Sequence, residues 1–431
     1  MPGARSGCGK SGARAFTVTA LAGCLVGLVG GGFRWCLQEA DRLRGDVVDA
    51  ASGLGVAGLL IPVALTATGA AVGCLVAQRA PHAAGSGIQH VEAVWRQETG
   101  AHPGWLLPAK FFGGLAAIGS GLVLGREGPI VHMGAAVGSL AGRHGRLDAE
   151  DARLLHTALG GAGLTTAFTA PLGGLMFVCE EVTGSIRPRL VLMTLVGTVT
   201  SVVCARFMVG GAPVFEVPGT PAPPVWMLPL FLVLGVTGGA LGALYSALVV
   251  RMLQWCDRRP ARVPLSVRAA CIGAVIGALL AVDPLLAGGG DPLSESLLTG
   301  GKLTAAALAI YLAVRFVAGP LSYAAATPGG LFAPLLALGA LWGALAHALV
   351  SPVLPAGAAS SAAFAVVGMA VLFTGVVRAP LTGLVLVVEM TGATTLLVPL
   401  LIACFASVLT ADCLGSEPIY DSLRRRMLNH P

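Results

Sequence analysis

Charge is missing from long stretches of this chain. Phe16–Gly32, Gly53–Val76, Leu228–Val250 and Thr391–Ala411 contain no charged residue, and each approaches or exceeds the ~20 residues a helix needs to cross the hydrocarbon core of a bilayer. Lipid offers backbone N–H and C=O groups no partners, so segments of this kind satisfy themselves as helices. Of the 431 residues, 55% are hydrophobic and 11% charged, with a mean hydropathy of +0.82, which excludes a soluble globular domain. The reading is an all-α, polytopic membrane protein.

The net charge of +6 is spread in short basic clusters between or outside the apolar runs, without interleaved aromatics, so nucleic acid is not an expected partner. The clusters report topology instead. Arg5, Lys10 and Arg14 precede the first run, and Arg424, Arg425 and Arg426 follow the last, which puts both termini in the cytoplasm. Residues 1–31 resemble a signal peptide, but the amphipathic stretch Phe33–Arg44 comes directly after, as expected of a retained first helix. The ten cysteines form no C-x-x-C pair and most lie in apolar runs, so they read as small buried residues, with no metal or disulfide role.

Residues 212–225 carry Pro213, Pro218, Pro221, Pro223 and Pro224, too many for a helix, and divide the chain. The division is a cytoplasmic tail over 1–15, a first membrane half over 16–211, the linker, a second half over 226–415 and a C-terminal segment over 416–431. A repeat supports it. Gly125-Arg-Glu-Gly-Pro129 with Gly134, Ala135 and Gly138 recurs 205 positions later as Gly330-Leu-Phe-Ala-Pro334 with Gly339, Ala340 and Gly343. The segment from Ala170 to Glu180 recurs 209 positions later from Ala379 to Glu389. Both Gly-x-x-x-Pro elements interrupt apolar segments, so short helices begin inside the membrane zone, where their free N–H groups favour an anion. Paired interruptions of this kind in two inverted-topology halves point to a binding site at the midplane.

Three of these stretches, Gly85-Ser-Gly-Ile88, Gly125-Arg-Glu-Gly-Pro129 and Gly330-Leu-Phe-Ala-Pro334, resemble in content and order the signatures of the CLC chloride channel and chloride–proton antiporter family. Lys110-Phe-Phe-Gly-Gly114, Ala170–Glu181 and Ser416-Glu-Pro-Ile-Tyr420 extend the likeness from about Pro81 to Tyr420. The resemblance implies a chloride path formed by the hydroxyls of Ser86 and Tyr420 and the backbone N–H groups of Leu331 and Phe332, with Gly85 on the inner side. Neutral donors hold chloride weakly enough to release it. Relatives that prefer nitrate or fluoride commonly change the residue at Ser86, so its presence implies chloride.

The resemblance also makes Glu127 the external gate and proton carrier, and Glu181 the internal proton-transfer acid. Burial disfavours a carboxylate's charge and a helix N-terminus favours it, so opposing influences leave Glu127 able to titrate. Glu181 has no acid opposite it in the repeat, where Met390 stands, whereas Glu180 matches Glu389 and reads as structural. Lys110, one of only three lysines, is expected to support the anion path electrostatically by pairing with a buried acid such as Glu92. Gln89 stands where the family has proline, with altered kinetics expected rather than lost selectivity.

The function expected is chloride/proton antiport in the cell membrane; a passive chloride channel is the alternative. The resemblance further implies a homodimer. The chain ends 11 residues after Tyr420, leaving no room for the family's nucleotide-sensing CBS domains. Residues 4–11 nearly spell a phosphate-binding loop and Gly53–Gly58 fits a dinucleotide fingerprint, but neither comes after a strand, so no nucleotide or other cofactor is expected. An intramembrane hydrolase using Ser86 with His132 or His347 is the remote alternative, and without H-E-x-x-H or a placed histidine the chain reads as no enzyme.

Overall fold

The structure is a computed structural model that describes residues 5–101, 104–211, 214–215, 217, 221–258, 263–301, 303–355 and 359–429, without the side chains of 5–11, 52 and 56. Pro213 and Pro218 of the linker, Lys302, and the side chains of the phosphate-loop look-alike, Lys10 included, lie outside the described residues.

Seventeen α-helices succeed one another among the described residues. The first half holds α1 (Arg5–Ser52), α2 (Leu60–Arg79), α3 (Ile88–Trp95), α4 (Leu106–Gly119), α5 (Glu127–His144), α6 (Ala149–Phe168), α7 (Pro171–Phe177) and α8 (Pro188–Val209). The second holds α9 (Leu228–Asp257), α10 (Leu265–Val282), α11 (Asp291–Leu298), α12 (Ala305–Tyr323), α13 (Phe332–Val350), α14 (Ser361–Val377), α15 (Pro380–Thr391) and α16 (Leu397–Cys413). A last helix, α17 (Ile419–Asn429), carries Tyr420. Helix α1 already runs through the stretch expected as a tail, and it continues unbroken over the amphipathic turns beyond the apolar run.

The halves use the same packing. Helix α1 lies against α8 as α9 does against α16, and α5 lies against α6 as α13 does against α14. Small residues make the latter pairs close: a Cβ on Gly134 would come within 2.3 Å of the Leu159 carbonyl oxygen, and one on Gly339 within 2.3 Å of that of Gly368. These four helices form the buried centre, with Ala158, Leu159, Val367 and Met369 fully enclosed. The surrounding helices turn large apolar side chains outward, among them Leu21, Phe207, Val233, Ile310 and Leu409. Among the described residues eight helices are long and apolar enough to cross a membrane, an environment that suits this outward apolar face.

Two classes of helix start differ in a way that prepares the site. Helices α6, α12 and α14 begin with side-chain caps: Asp148 accepts from the Asp151 N–H at 2.8 Å, Thr304 from Ala307 at 3.2 Å, and Ser360 from Ala363 at 3.1 Å. Helices α3, α5, α11 and α13 begin behind Gly87, Arg126, Gly290 and Leu331, and none of these caps its helix with its side chain. The opening N–H groups of those four helices are therefore left to other partners.

Candidate functional site

The uncapped helix starts converge because three loops are laced together. Gly125 and Gly330 exchange two backbone hydrogen bonds, of 2.7 and 2.8 Å, which join the loops before α5 and α13. The Gly85 N–H donates to Thr327 at 2.9 Å and the Gly329 N–H donates to Gly85 at 3.1 Å, which ties in the loop before α3. Helices α5 and α13 thus start at a common point, behind backbones that pair antiparallel.

Glu127 is the first residue of α5 and is fully buried. One carboxylate oxygen, Oε2, accepts the Ala333 N–H of α13 at 3.3 Å, so the acid occupies the anion-favouring end of the opposite half's helix. Its Oε1 has no hydrogen-bond partner and lies 4.0 Å from Arg126 Nε. Arg126 is itself held by Asp291, at 2.8 Å.

Ser86 and Tyr420 are both fully buried, and Ser86 Oγ and Tyr420 Oη have no hydrogen-bond partner in the protein. A buried hydroxyl left alone is costly, so the two are candidates for binding a polar ligand. The Tyr420 ring lies 6.0 Å from that of Phe332, which opens α13. The site residues inferred from sequence near the three loops are therefore together: Gly85, Ser86, Glu127, Leu331, Phe332 and Tyr420.

Two side chains near them were missed or misassigned. Tyr323, at the end of α12, accepts the Ser86 N–H at 3.3 Å; nothing in its local sequence signals this. Lys110 is fully buried, but its Nζ donates to the carbonyls of Ala83 at 3.0 Å and Gly85 at 2.8 Å, not to Glu92. The expected lysine–glutamate pair gives way to a cation that gathers the glycine loop; the cation beside Glu92 is Arg424, at 3.8 Å. Arg315 repeats this in the second half. Its guanidinium donates to Leu285 at 2.7 Å, Ala287 at 2.9 Å and Gly288 at 2.8 Å. It stands 205 positions after Lys110, the displacement of the Gly-x-x-x-Pro pair, and that arithmetic could have found it.

Gln89 keeps the start of α3 intact. Its side-chain Oε1 accepts the Gly87 N–H at 3.1 Å, and Gly87, at φ +92°, adopts the left-handed turn that a side chain would strain.

Glu181 lies on a single π-helical turn, Val178–Val182, that continues α7. It lines a cavity of about 430 Å³ together with Glu92, Trp95, Arg96, Arg378 and Asp421. Glu180 also lines this cavity, but its carboxylate is engaged, accepting the N–H groups of Leu381 at 3.1 Å and Thr382 at 2.6 Å at the start of α15. Glu389 returns the contact at the start of α7, accepting from Leu172 at 3.1 Å and Gly173 at 2.6 Å.

The described residues hold no cluster of metal-ligating type. His132 meets His90 at 3.2 Å rather than Ser86, and His347 meets the Ala359 carbonyl at 3.3 Å, so neither forms a nucleophilic pair with Ser86.

Residues 68–412 match the family model described as voltage gated chloride channel. A protein named H(+)/Cl(-) exchange transporter ClcA from Vibrio cholerae is 37% identical over 417 residues, covering 95% of this chain and 89% of that protein. Its namesake from Vibrio parahaemolyticus is 35% identical over 423 residues, covering 96% and 90%. Among solved structures, a slow cyanobacterial Cl-/H+ antiporter superposes with a TM-score of 0.89 at 27% identity, covering 97% of this chain and 98% of its own. A eukaryotic CLC transporter shares the fold at a TM-score of 0.79 and 22% identity, covering 97% of this chain and 74% of its own.

Proposed function

The chain belongs to the voltage-gated chloride channel family, as a multi-pass membrane transporter and not an enzyme, and from that premise we propose that it exchanges chloride for protons. The observation that carries this reading is the carboxylate of Glu127 at the start of α13, where the N–H groups would otherwise receive the anion. A relative's exchange of the same two ions supports it.

Chloride is held between Ser86 Oγ, Tyr420 Oη and the opening N–H groups of Leu331 and Phe332, with Gly85 and the Lys110 ammonium behind the loop. All are dipoles or a cation one step removed, so the anion is stabilised without a direct ion pair. Ionised Glu127 occupies the next anion position. Protonation removes its charge and its claim on the Ala333 N–H, and the side chain yields the position to chloride. The proton is exchanged on the other side through Glu181, whose cavity also contains Glu92 and Asp421.

Both termini are assigned to the cytoplasm of the producing cell, from the flanking arginines. The end of α5 lies against Val18 near the start of α1, so α5 runs from the site to that face. A homodimer with one pathway per subunit is the assembly implied by family membership.

The experiment is a flux measurement on purified protein in liposomes, with a chloride gradient imposed and no proton gradient. Protons driven uphill, and no longer driven in Glu127→Gln and Glu181→Gln, are the expected result. Chloride flux without proton movement would make the protein a passive channel and remove the roles given to both acids.

A further inference from the structure

A cavity of about 570 Å³ lies apart from the chloride path, between the C-terminal end of α5, the N-terminal half of α6 and the loop after α3. Ser139 and Arg143 line it from α5, Arg153 and His156 from α6, and Gln97, Glu98 and Thr99 from the loop. Ser139 and Arg143, and likewise Arg153 and His156, are spaced to share one helix face.

The charges in it do not balance. Neither Arg143 nor Arg153 forms an ion pair among the described residues. Arg143 donates to the Ala101 carbonyl at 3.5 Å, and Arg153 lies over the Trp95 ring, 5.1 Å from its centroid. Glu98 is the acid lining the cavity, and both its oxygens are already taken by Arg424 at 2.6 Å. His156 is 97% buried, with Nδ1 2.7 Å from Ser139 Oγ and Nε2 without a partner. The Ser139 hydroxyl donates to the Ala135 carbonyl at 3.2 Å, so the His156 ring proton sits on Nδ1 facing Ser139 Oγ, and the two guanidinium groups are the donors the cavity offers.

We propose that this cavity binds a phosphate group, on a small phosphorylated anion or on a phospholipid headgroup, through Arg143 and Arg153. Guanidinium forks match a tetrahedral oxyanion through paired hydrogen bonds, which monatomic chloride cannot accept in that way. The site lies on the face that carries α17, and its loop reaches Tyr420's helix through Glu98 and Arg424. It does not depend on the antiport reading, because Arg143 and Arg153 line neither the cavity that holds Gly85 nor the one that holds Glu181, although Glu98 and Thr99 border the former.

The test uses the full purified chain in detergent at saturating chloride, titrated calorimetrically with inorganic phosphate. One phosphate per chain is expected, weakened about tenfold by Arg153→Gln or Arg143→Gln. Ser86→Ala should leave phosphate binding unchanged, which separates the cavity from the transport path. Arg153→Lys should recover part of the affinity, by restoring charge without the fork. The thermal midpoint of each variant in chloride checks that it is folded.

A second arm measures retention of phosphatidic acid by the same proteins in phosphatidylcholine nanodiscs. Binding of free phosphate identifies a soluble ligand; no free phosphate but arginine-dependent retention of phosphatidic acid identifies a headgroup. Absence of both, or phosphate binding that the arginine variants leave unchanged, overturns the proposal.

Discussion

Ala170–Val182 and Ala379–Thr391 begin as one structure and end as two. Each opens with proline in the first turn, and each has its opening N–H groups accepted by the other's glutamate, Glu389 for α7 and Glu180 for α15. Beyond that point α15 continues as a regular helix to Thr391, where Gly392 turns it at φ +70°. The first-half segment instead widens into a π turn over Val178–Val182. One extra residue in a turn rotates the side chains beyond it, and turns of this kind favour functional sites. Glu181 faces a polar cavity, while Met390, its partner in the repeat, is 99% buried. The shared part holds the halves together; the divergent turn is where we place proton transfer.

That contrast can be broken most severely at Glu181. Glu181→Gln should lower proton flux by about a hundredfold or more with chloride flux retained, on the scale of losing a positioned proton-transfer group. The double variant Glu181→Met, Met390→Glu should not restore it, because the second-half position lacks the cavity. Recovery of proton pumping in liposomes would show that the π turn is incidental.

The cross-capping glutamates should behave alike and differently from Glu181. Glu180→Gln and Glu389→Gln each remove a charge-assisted acceptor from two helix-opening N–H groups, an expected loss of about 1.5–3 kcal/mol. Matching drops in thermal midpoint, with proton-to-chloride coupling kept, are the expected outcome. A coupling defect in Glu180→Gln without a stability loss would assign that residue to transport instead.

The two buried cations sharpen the comparison further. Lys110→Met removes a positive charge from behind Gly85 and should weaken chloride binding by about tenfold. Arg315→Met frees three carbonyls of the equivalent second-half loop, and should lower the thermal midpoint with a smaller change in chloride affinity. Calorimetric chloride titration of both variants decides it; equal affinity losses would mean that the halves contribute alike.

The smallest effect is expected at Gln89. Its side chain already accepts the Gly87 N–H, so Gln89→Pro should change chloride turnover by about threefold or less, since proline presets the same helix start. A loss of chloride selectivity over nitrate in that variant would show that Gln89 does more than begin α3.

Much of this was legible in the chain itself. Uncharged runs fixed a helical membrane protein because lipid leaves the backbone no alternative. The Gly-x-x-x-Pro pair fixed where helices restart, since glycine and proline act locally on the backbone. The match of Glu180 to Glu389 correctly marked both as structural. Local signals failed where partners are remote. Lys110 was given an acid because an acid is the usual partner of a buried cation, but the carbonyls that it binds become available only when the loop before α3 is folded against α4. Tyr323 had no signal, because its hydroxyl reaches Ser86 across 237 positions.

Sequence by itself determined the membrane class, the repeat and the places where helices restart, which derive from residue type and near-neighbour spacing, and it offered the acids and hydroxyls as candidates through a family resemblance. Tertiary structure alone decided that three loops share backbone hydrogen bonds, that Glu127 rests on the opposite half's helix, and that Glu180 and Glu389 each cap the other's helix. These depend on contacts between segments about 200 positions apart, and the energy of such contacts belongs to packing rather than to any stretch of sequence.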